Sequence, residues 1–234
     1  MIIYFLRHAN AGETRKDSKK DERRGIDPQG IQESYQLARL FSRLDVAPDL
    51  IITSPLKRAM QTGAMVANEL GYDDKLRIEK TLKPDAKWED FRSMLKSQDA
   101  DTVIIVGHSP NLPQFAGRII SDAGHRAEID LRKGGVARVD YDGRKGELQW
   151  LLTPKLIKEA NAGVEIGTPP AEPPQVAKEK SHGLKVGRVL APNQGEAKRT
   201  TKPKQKSKPK PKPKSKPKRK KQKASKNSRP KRKK

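Results

Sequence analysis

The sequence predicts an α/β protein, a three-layer α/β/α sandwich around a mostly parallel sheet with an antiparallel edge. Three observations carry this prediction. Residues 1–6 (MIIYFL), 49–53 (DLIIT) and 102–107 (TVIIVG) are short, near-continuous apolar runs, the pattern of strands covered on both faces. Helical patterns lie between them. Beyond about residue 126 the pattern turns to short strand-like segments and a tight turn, which is the expected antiparallel edge.

The elements follow in order. After the first strand, Asp27-Pro28 supplies an N-cap and a proline at the first helical position, and Ile31, Tyr35, Leu37, Leu40, Phe41 and Leu44 recur at helical spacings. The second strand leads to a helix with Ser54 as cap and Pro55 at its first position, running to Leu70 and stopped by Gly71. A weaker helix covers about Trp88–Lys96, and another runs from near Pro110 to around Ser121. "AEIDL", "GGVARVDY" and "ELQWLL" then read as strands, the last two joined by "DGRKG".

Charge and aromatic content divide the chain. Of its 234 residues, 34% are charged and the formal charge is +24, yet residues 198–234 alone hold 21 Lys and Arg with no Asp or Glu. The remainder is near neutral at +3. The last aromatic residue is Trp150, so the 84 residues after it have none to anchor a core. We therefore expect a catalytic-sized domain over 1–157, a Pro/Ala/Gly-rich linker over 158–197 and a disordered Lys/Pro-rich basic tail over 198–234. A chain of about 157 residues buries roughly 68–70% of its unfolded surface, enough to fold without staples. The absence of cysteine excludes disulfides and thiolate metal sites and fits a reducing compartment. No apolar run approaches the ~20 residues of a membrane span, and the N-terminus lacks the pattern of a signal peptide, so a cytoplasmic protein is expected.

In open α/β sheets ligands bind outside the carboxyl ends of the strands. Three strands end there in reactive or anion-binding side chains: Arg7-His8, Ser54 to Arg58, and Gly107-His108-Ser109. A single strand-end Arg or His is ordinarily a solvated edge, but two Arg and two of only four His converging on one sheet end is a different matter. Paired guanidinium groups donate bidentately to phosphoryl oxygens, and a helix amino end adds backbone N–H groups and a favourable dipole. A neutral histidine among them can attack phosphorus, and a second, cationic beside a bound dianion, can stabilise the charge of an in-line transition state. No metal is required, and "DAD" at 99–101 lies at the opposite end of its strand.

"LRHANAG" (6–12), "DERRGIDPQG" (21–30), "TSPLKRAMQT" (53–62) and "VIIVGHSPNL" (103–112) resemble, in order and spacing, the motifs of the histidine phosphatase (phosphoglycerate mutase-like) superfamily. Within it the chain is most similar to the SixA-type phosphohistidine phosphatases, over essentially residues 1–153. The resemblance implies that His8 is the nucleophile and that Arg7, Arg58 and His108 complete the phosphate pocket; no cofactor is expected. Ala9 stands where the superfamily usually has glycine; the SixA-like branch often has alanine there.

The leaving group separates the substrate classes. A phosphate monoester leaves as an alkoxide and needs a proton donor, whereas phosphohistidine can leave as neutral imidazole. Mutase-like relatives carry a carboxylic acid that the SixA-like branch looks to lack; here "TLKPDAKWEDF" would supply it, with Asp85 the best candidate, Glu89 disfavoured by its place inside a helix pattern, and a capping or loop role the competitor for Asp85. Residues 9–27 and 80–90 are too short for a large closing insertion, which favours a phosphohistidine on a protein over a small phosphomonoester or phosphoanhydride. Asn10, Arg24 and Ser109 are candidates for phosphate binding or for supporting the pocket from behind. His125 and His182 fall in a loop and in the linker and are given no role.

The tail suits sequence-independent binding to nucleic acid or another polyanion, because its charges release counterions while no aromatic is present to stack on bases; a solubilising low-complexity extension, or in a eukaryotic host a nuclear localisation signal at "KPKRKK", are the alternatives. A competing function of another class follows: a tethering protein whose folded domain binds phosphate without turnover. His8 argues against it, since binding alone does not require that residue.

Overall fold

A computed structural model describes residues 1–121 and 127–175; the tail over 198–234, most of the linker, His125 and His182 lie outside the described residues. Six strands form one sheet: β1 (Ile2–Arg7), β2 (Leu50–Thr53), β3 (Arg77–Ile78), β4 (Thr102–Gly107), β5 (Val136–Tyr141) and β6 (Gly146–Leu152). Their spatial order is β3-β2-β4-β1-β5-β6. The first four run parallel, and β5 and β6 form the antiparallel edge.

Alternation along the central strands feeds two cores. Ile3, Phe5 and Ile105 face a layer containing Phe91 of α4 (Trp88–Lys96) and Phe115 of α5 (Asn111–Ile119). Tyr4, Leu6 and Ile104 face the opposite layer, with Leu37 and Phe41 of α2 (Pro28–Arg43) and Val66 of α3 (Lys57–Glu69). The three-layer α/β/α sandwich is therefore present as expected. The α2 cap also forms as expected: Asp27 accepts from the Gly30 N–H at 2.8 Å, with Pro28 behind it.

Four local expectations change. The helix after β2 starts at Lys57 with Leu56 as its N-cap, so Ser54 does not cap it. "AEIDL" shows the exposed and buried alternation of a strand, but it packs on α5 instead of a strand edge. Its Ala127 N–H goes to Ser121 Oγ at 2.7 Å, and β5 pairs with β1 in the sheet. A short helix α1 (Ser18–Glu22), a 3-10 turn at Lys80–Leu82 and the two-residue β3 were too short or too polar for periodicity to reveal. Finally, α6 (Pro154–Ala160), capped by Thr153, crosses the expected boundary at 157. Its Ile157 is buried, Asn161 donates to Gln36 O, and Tyr35 donates its hydroxyl to Ile166 O, so packing on α2 continues beyond that boundary.

No helix among the described residues is long and apolar enough to cross a membrane.

Candidate active site

Strand register assembles the site. In the parallel β1–β4 pair Arg7 stands opposite Gly107, so the next residues, His8 and His108, leave adjacent strands at the same level. The His8 N–H donates to Gly107 O at 3.0 Å, which holds that level past the end of the ladder. On the other side β2 pairs Thr53 with Val106, and the Ser54 N–H continues to Val106 O at 3.0 Å. Three neighbouring strands thus deliver His8, His108 and Ser54 to one place, and α3 brings Arg58 above them.

The two imidazoles lie 4.9 Å apart between ring centroids, and only 5% of His8 and 2% of His108 is exposed. His8 Nδ1 is 2.8 Å from Ala9 O. A carbonyl only accepts, so Nδ1 carries the proton and Nε2 keeps its lone pair. Arg58 Nε donates to that Nε2 at 3.3 Å. Burial, together with the charges of Arg58, Arg7 and Lys133, pushes the His8 pKa down to about 3 against the opposing bond to Ala9, so the ring is neutral at physiological pH. Burial, then the neighbouring His8, Arg58 and Arg7, pushes His108 down to about 2. With only the chain's own charges around it His108 is neutral; a dianion among these cations would supply the charge that favours its protonated form.

Arg58, 6% exposed, is held at both ends. Its Nη1 donates to Asp21 O at 2.9 Å and to Asp21 Oδ2 at 3.1 Å. Burial lowers its pKa while Asp21 opposes that shift. Arg7 donates Nη1 to Leu131 O at 3.0 Å, which fastens "AEIDL" beside the pocket. Its Nε and His108 Nδ1 are buried polar atoms that find no hydrogen-bond partner among the described residues. Cationic side chains and unmatched polar atoms around a neutral imidazole form a place for a tetrahedral anion. Among the described residues no group of three or more His, Asp or Glu is arranged to hold a metal ion.

The remaining candidates separate. Arg24 donates Nε to Asp21 Oδ1 at 3.0 Å and Nη1 to Ala11 O at 2.6 Å, so it supports the pocket through Asp21. The Asn10 carboxamide is committed elsewhere: Nδ2 donates to Asp27 Oδ2 at 2.8 Å, and Oδ1 accepts from Lys133 at 3.2 Å. It ties the loop after His8 to the start of α2. Ser109, which precedes the cis bond to Pro110, is partly exposed and lines a surface groove with Pro113, Gln114 and Ala127. Asp85 is exposed in a loop held beside the start of α5, where Asn111 Nδ2 donates to Lys83 O at 3.0 Å and to Ala86 O at 2.8 Å.

Three polar partners escaped the sequence reading. Ser54 Oγ, expected at a cap, lies 2.8 Å from His108 Nε2. Thr62 Oγ1 donates to Arg58 O at 2.8 Å and accepts the Ala9 N–H at 3.1 Å, joining the loop after His8 to α3. Its position four residues after Arg58, hence on the same helix face, was the available signal. Asp21 had none beyond being an acid in a basic stretch.

A model of the histidine phosphatase superfamily, branch 1, matches residues 3–84. An uncharacterized protein of Picosynechococcus sp. is 30% identical over 141 residues, covering 58% of this chain and 82% of that protein. Among solved structures, that of the protein histidine phosphatase SixA complexed with tungstate is similar with a TM-score of 0.59 at 20% identity, over 67% of this chain and 99% of that one. The α-ribazole phosphatase from Shigella flexneri is similar with a TM-score of 0.52 at 17% identity, over 66% of this chain and 97% of that one. Likeness at such identities concerns the fold.

Proposed function

The chain belongs to the histidine phosphatase superfamily, and from that membership we propose that it is a phosphatase which carries the phosphoryl group on His8 and takes it from a phosphohistidine on a protein. One observation carries the reading: a neutral His8 ring, its Nδ1–H committed to Ala9 O, whose Nε2 lone pair lies beside the Arg58 guanidinium. An imidazole kept unprotonated among cations is poised as a nucleophile toward an anion that those cations collect.

In the first step Nε2 attacks phosphorus while Arg7 and Arg58 hold the phosphoryl oxygens. The P–N bond of the substrate breaks with its electron pair passing to the substrate ring, which leaves as neutral imidazole when its other nitrogen is protonated. The His8 ring, now bearing phosphorus and its Nδ1 proton, is cationic and still donates to Ala9 O. His108 stabilises the equatorial oxygens in both steps. Water then attacks phosphorus, the electron pair returns to Nε2, and the proton of water leaves with phosphate.

The protein substrate is favoured because the segments beside the site are short and the leaving imidazole needs no strong acid. Asp85, exposed on its loop, supports the second reading, a small phosphomonoester as substrate, only if its removal slows ester hydrolysis. The deciding experiment is a panel of phosphohistidine protein against phosphomonoesters, with the purified chain, its His8→Ala variant and its Asp85→Asn variant. We expect phosphohistidine to turn over at least tenfold faster, His8→Ala to abolish turnover and the acid-labile phosphoenzyme, and Asp85→Asn to leave phosphohistidine hydrolysis unchanged. Ester preference together with loss in Asp85→Asn replaces the reading by the second one, and turnover by His8→Ala overturns both.

The tail over 198–234 gives this phosphatase a second partner, a polyanion, through 21 positive charges in 37 residues. Retention on duplex DNA at low salt, lost on deletion of that segment, is the expected result; unchanged retention refutes it.

A further inference from the structure

Beside the phosphate pocket the chain builds a second cleft. Its walls include Arg15, Lys20, Arg23 and Arg24, and its volume is about 710 Å³. Glu13 and Asp27 are the acidic residues in its lining, and Asp27 is committed to the Gly30 N–H and to Asn10. Arg24 forms the floor and is bound to Asp21 and to two backbone carbonyls. The guanidinium and ammonium groups of Arg15, Lys20 and Arg23 are different. All three residues are exposed, and no ion pair or side-chain hydrogen bond engages them among the described residues.

The cleft connects to the chemistry by a short path. Arg24 Nε is 3.0 Å from Asp21 Oδ1, Asp21 Oδ2 is 3.1 Å from Arg58 Nη1, and Arg58 Nε is 3.3 Å from His8 Nε2. Three side chains in mutual contact thus separate the cleft from His8, and free cations stand on the cleft's walls.

We propose that this cleft is a specificity site that binds an acidic peptide segment flanking the phosphorylated histidine of the protein substrate. The inference rests on the proposed phosphohistidine reading and deepens it. Two features favour spread carboxylates over one fixed anion such as a second phosphate. The cleft is far larger than a phosphate group, and its free cations sit on long exposed side chains, without the buried, rigid donors that a dedicated phosphate subsite uses. Exposed cations of this kind act on encounter rate and salt dependence more than on the reacting centre. The expected signature lies in KM and not in kcat.

The test compares the full chain, the double variant Lys20→Glu with Arg23→Glu, and a charge-matched control, Arg144→Glu with Lys155→Glu, whose positions are the β5–β6 turn and α6. Substrates are a phosphohistidine peptide with acidic flanks, the same peptide with neutral flanks, and an aryl phosphate. For the acidic peptide the cleft variant should raise KM at least tenfold with kcat within about twofold, while the other two substrates and the control variant change little. Loss of the wild-type preference at high salt is also expected. Equal effects on acidic and neutral peptides, or none on either, overturn the proposal. Calorimetric binding of the unphosphorylated acidic peptide reads the cleft without catalysis. Weakened binding in the cleft variant alone upholds the site even if phosphohistidine proves not to be the substrate, and equal binding refutes it. Competition by a small bisphosphate but not by the acidic peptide also overturns it.

Discussion

Ser54 Oγ lies 2.8 Å from His108 Nε2, inside a pocket where both residues are almost wholly excluded from water. The hydroxyl sits at the end of β2 and the imidazole at the end of β4, so the contact exists because these two strands are neighbours. Ser54→Ala removes the partner of a buried ring and should cost about 1–3 kcal/mol of stability. The His108 ring is then free to rotate, and kcat should fall by roughly tenfold, about 1.4 kcal/mol of transition-state stabilisation. Urea unfolding and steady-state kinetics check the two effects, and Ser54→Thr should restore most of both.

Asp21 is bound to the same guanidinium that faces His8, so under the proposed function its carboxylate should compete with a phosphoryl group for Arg58. Burial alone would raise the Asp21 pKa, but the Arg15 N–H, the Arg24 side chain and the nearby Arg58 charge hold it below the usual carboxylate range. It is therefore ionised at neutral pH. Asp21→Asn keeps the shape and removes the charge, and inhibition by inorganic phosphate should tighten by about tenfold, or about 1.4 kcal/mol. Unchanged or weaker phosphate inhibition would show that Asp21 acts only by holding Arg58 in place.

The two buried histidines make stability depend on pH. Their folded pKa values, about 3 for His8 and about 2 for His108, lie below the ordinary value near 6.5. Across that interval the unfolded chain binds more protons than the folded one, so stability is present in full above about pH 6.5 and is lost as pH falls toward the folded values. Each ring contributes a slope of up to about 1.4 kcal/mol per pH unit. Urea unfolding between about pH 6.5 and 5, above the main carboxylate range, should show that slope, and His108→Asn should flatten it by about one ring's share.

Local patterns were legible, and so was the convergence of Arg7, His8, Arg58 and His108 on one end of the sheet, but the individual polar contacts between distant residues were not. Strand β1 with its Arg7-His8 end, the Asp27-Pro28 start of α2 and the run ending at His108 are local patterns, and each appears where periodicity or capping chemistry puts it. Helix α1 buries no residue, and Asp21 reaches Arg58 across 37 positions, so no local period records either. Ser54 reads locally as a cap because a proline follows it. Only the β2–β4 register turns its hydroxyl to His108 instead. "AEIDL" has strand alternation, but its backbone is held by Ser121 and Arg7 side chains, and contacts of that kind leave no local period.

Close approach of α2 to the loop after His8 supplies a last, steric prediction. A Cβ at Gly30 would stand 2.0 Å from Asn10 O, a backbone atom that also accepts the Asp27 N–H at 3.1 Å. Neither partner is a flexible side chain, so Gly30→Ala must push α2 away from the segment carrying Ala9 and Asn10. Overpacking of this kind costs about 1–3 kcal/mol or more, despite the better helix propensity of alanine. Because that segment begins at His8, kcat should fall with stability. Gly63→Ala is the control: its Cβ would meet Leu76, Val106 and Thr53 at 3.6–3.8 Å, ordinary contact distances inside α3. It should be neutral or stabilising by up to about 1 kcal/mol, with kcat retained. If thermal unfolding and turnover change equally in the two variants, the spacing between α2 and the loop after His8 does not govern the position of that residue.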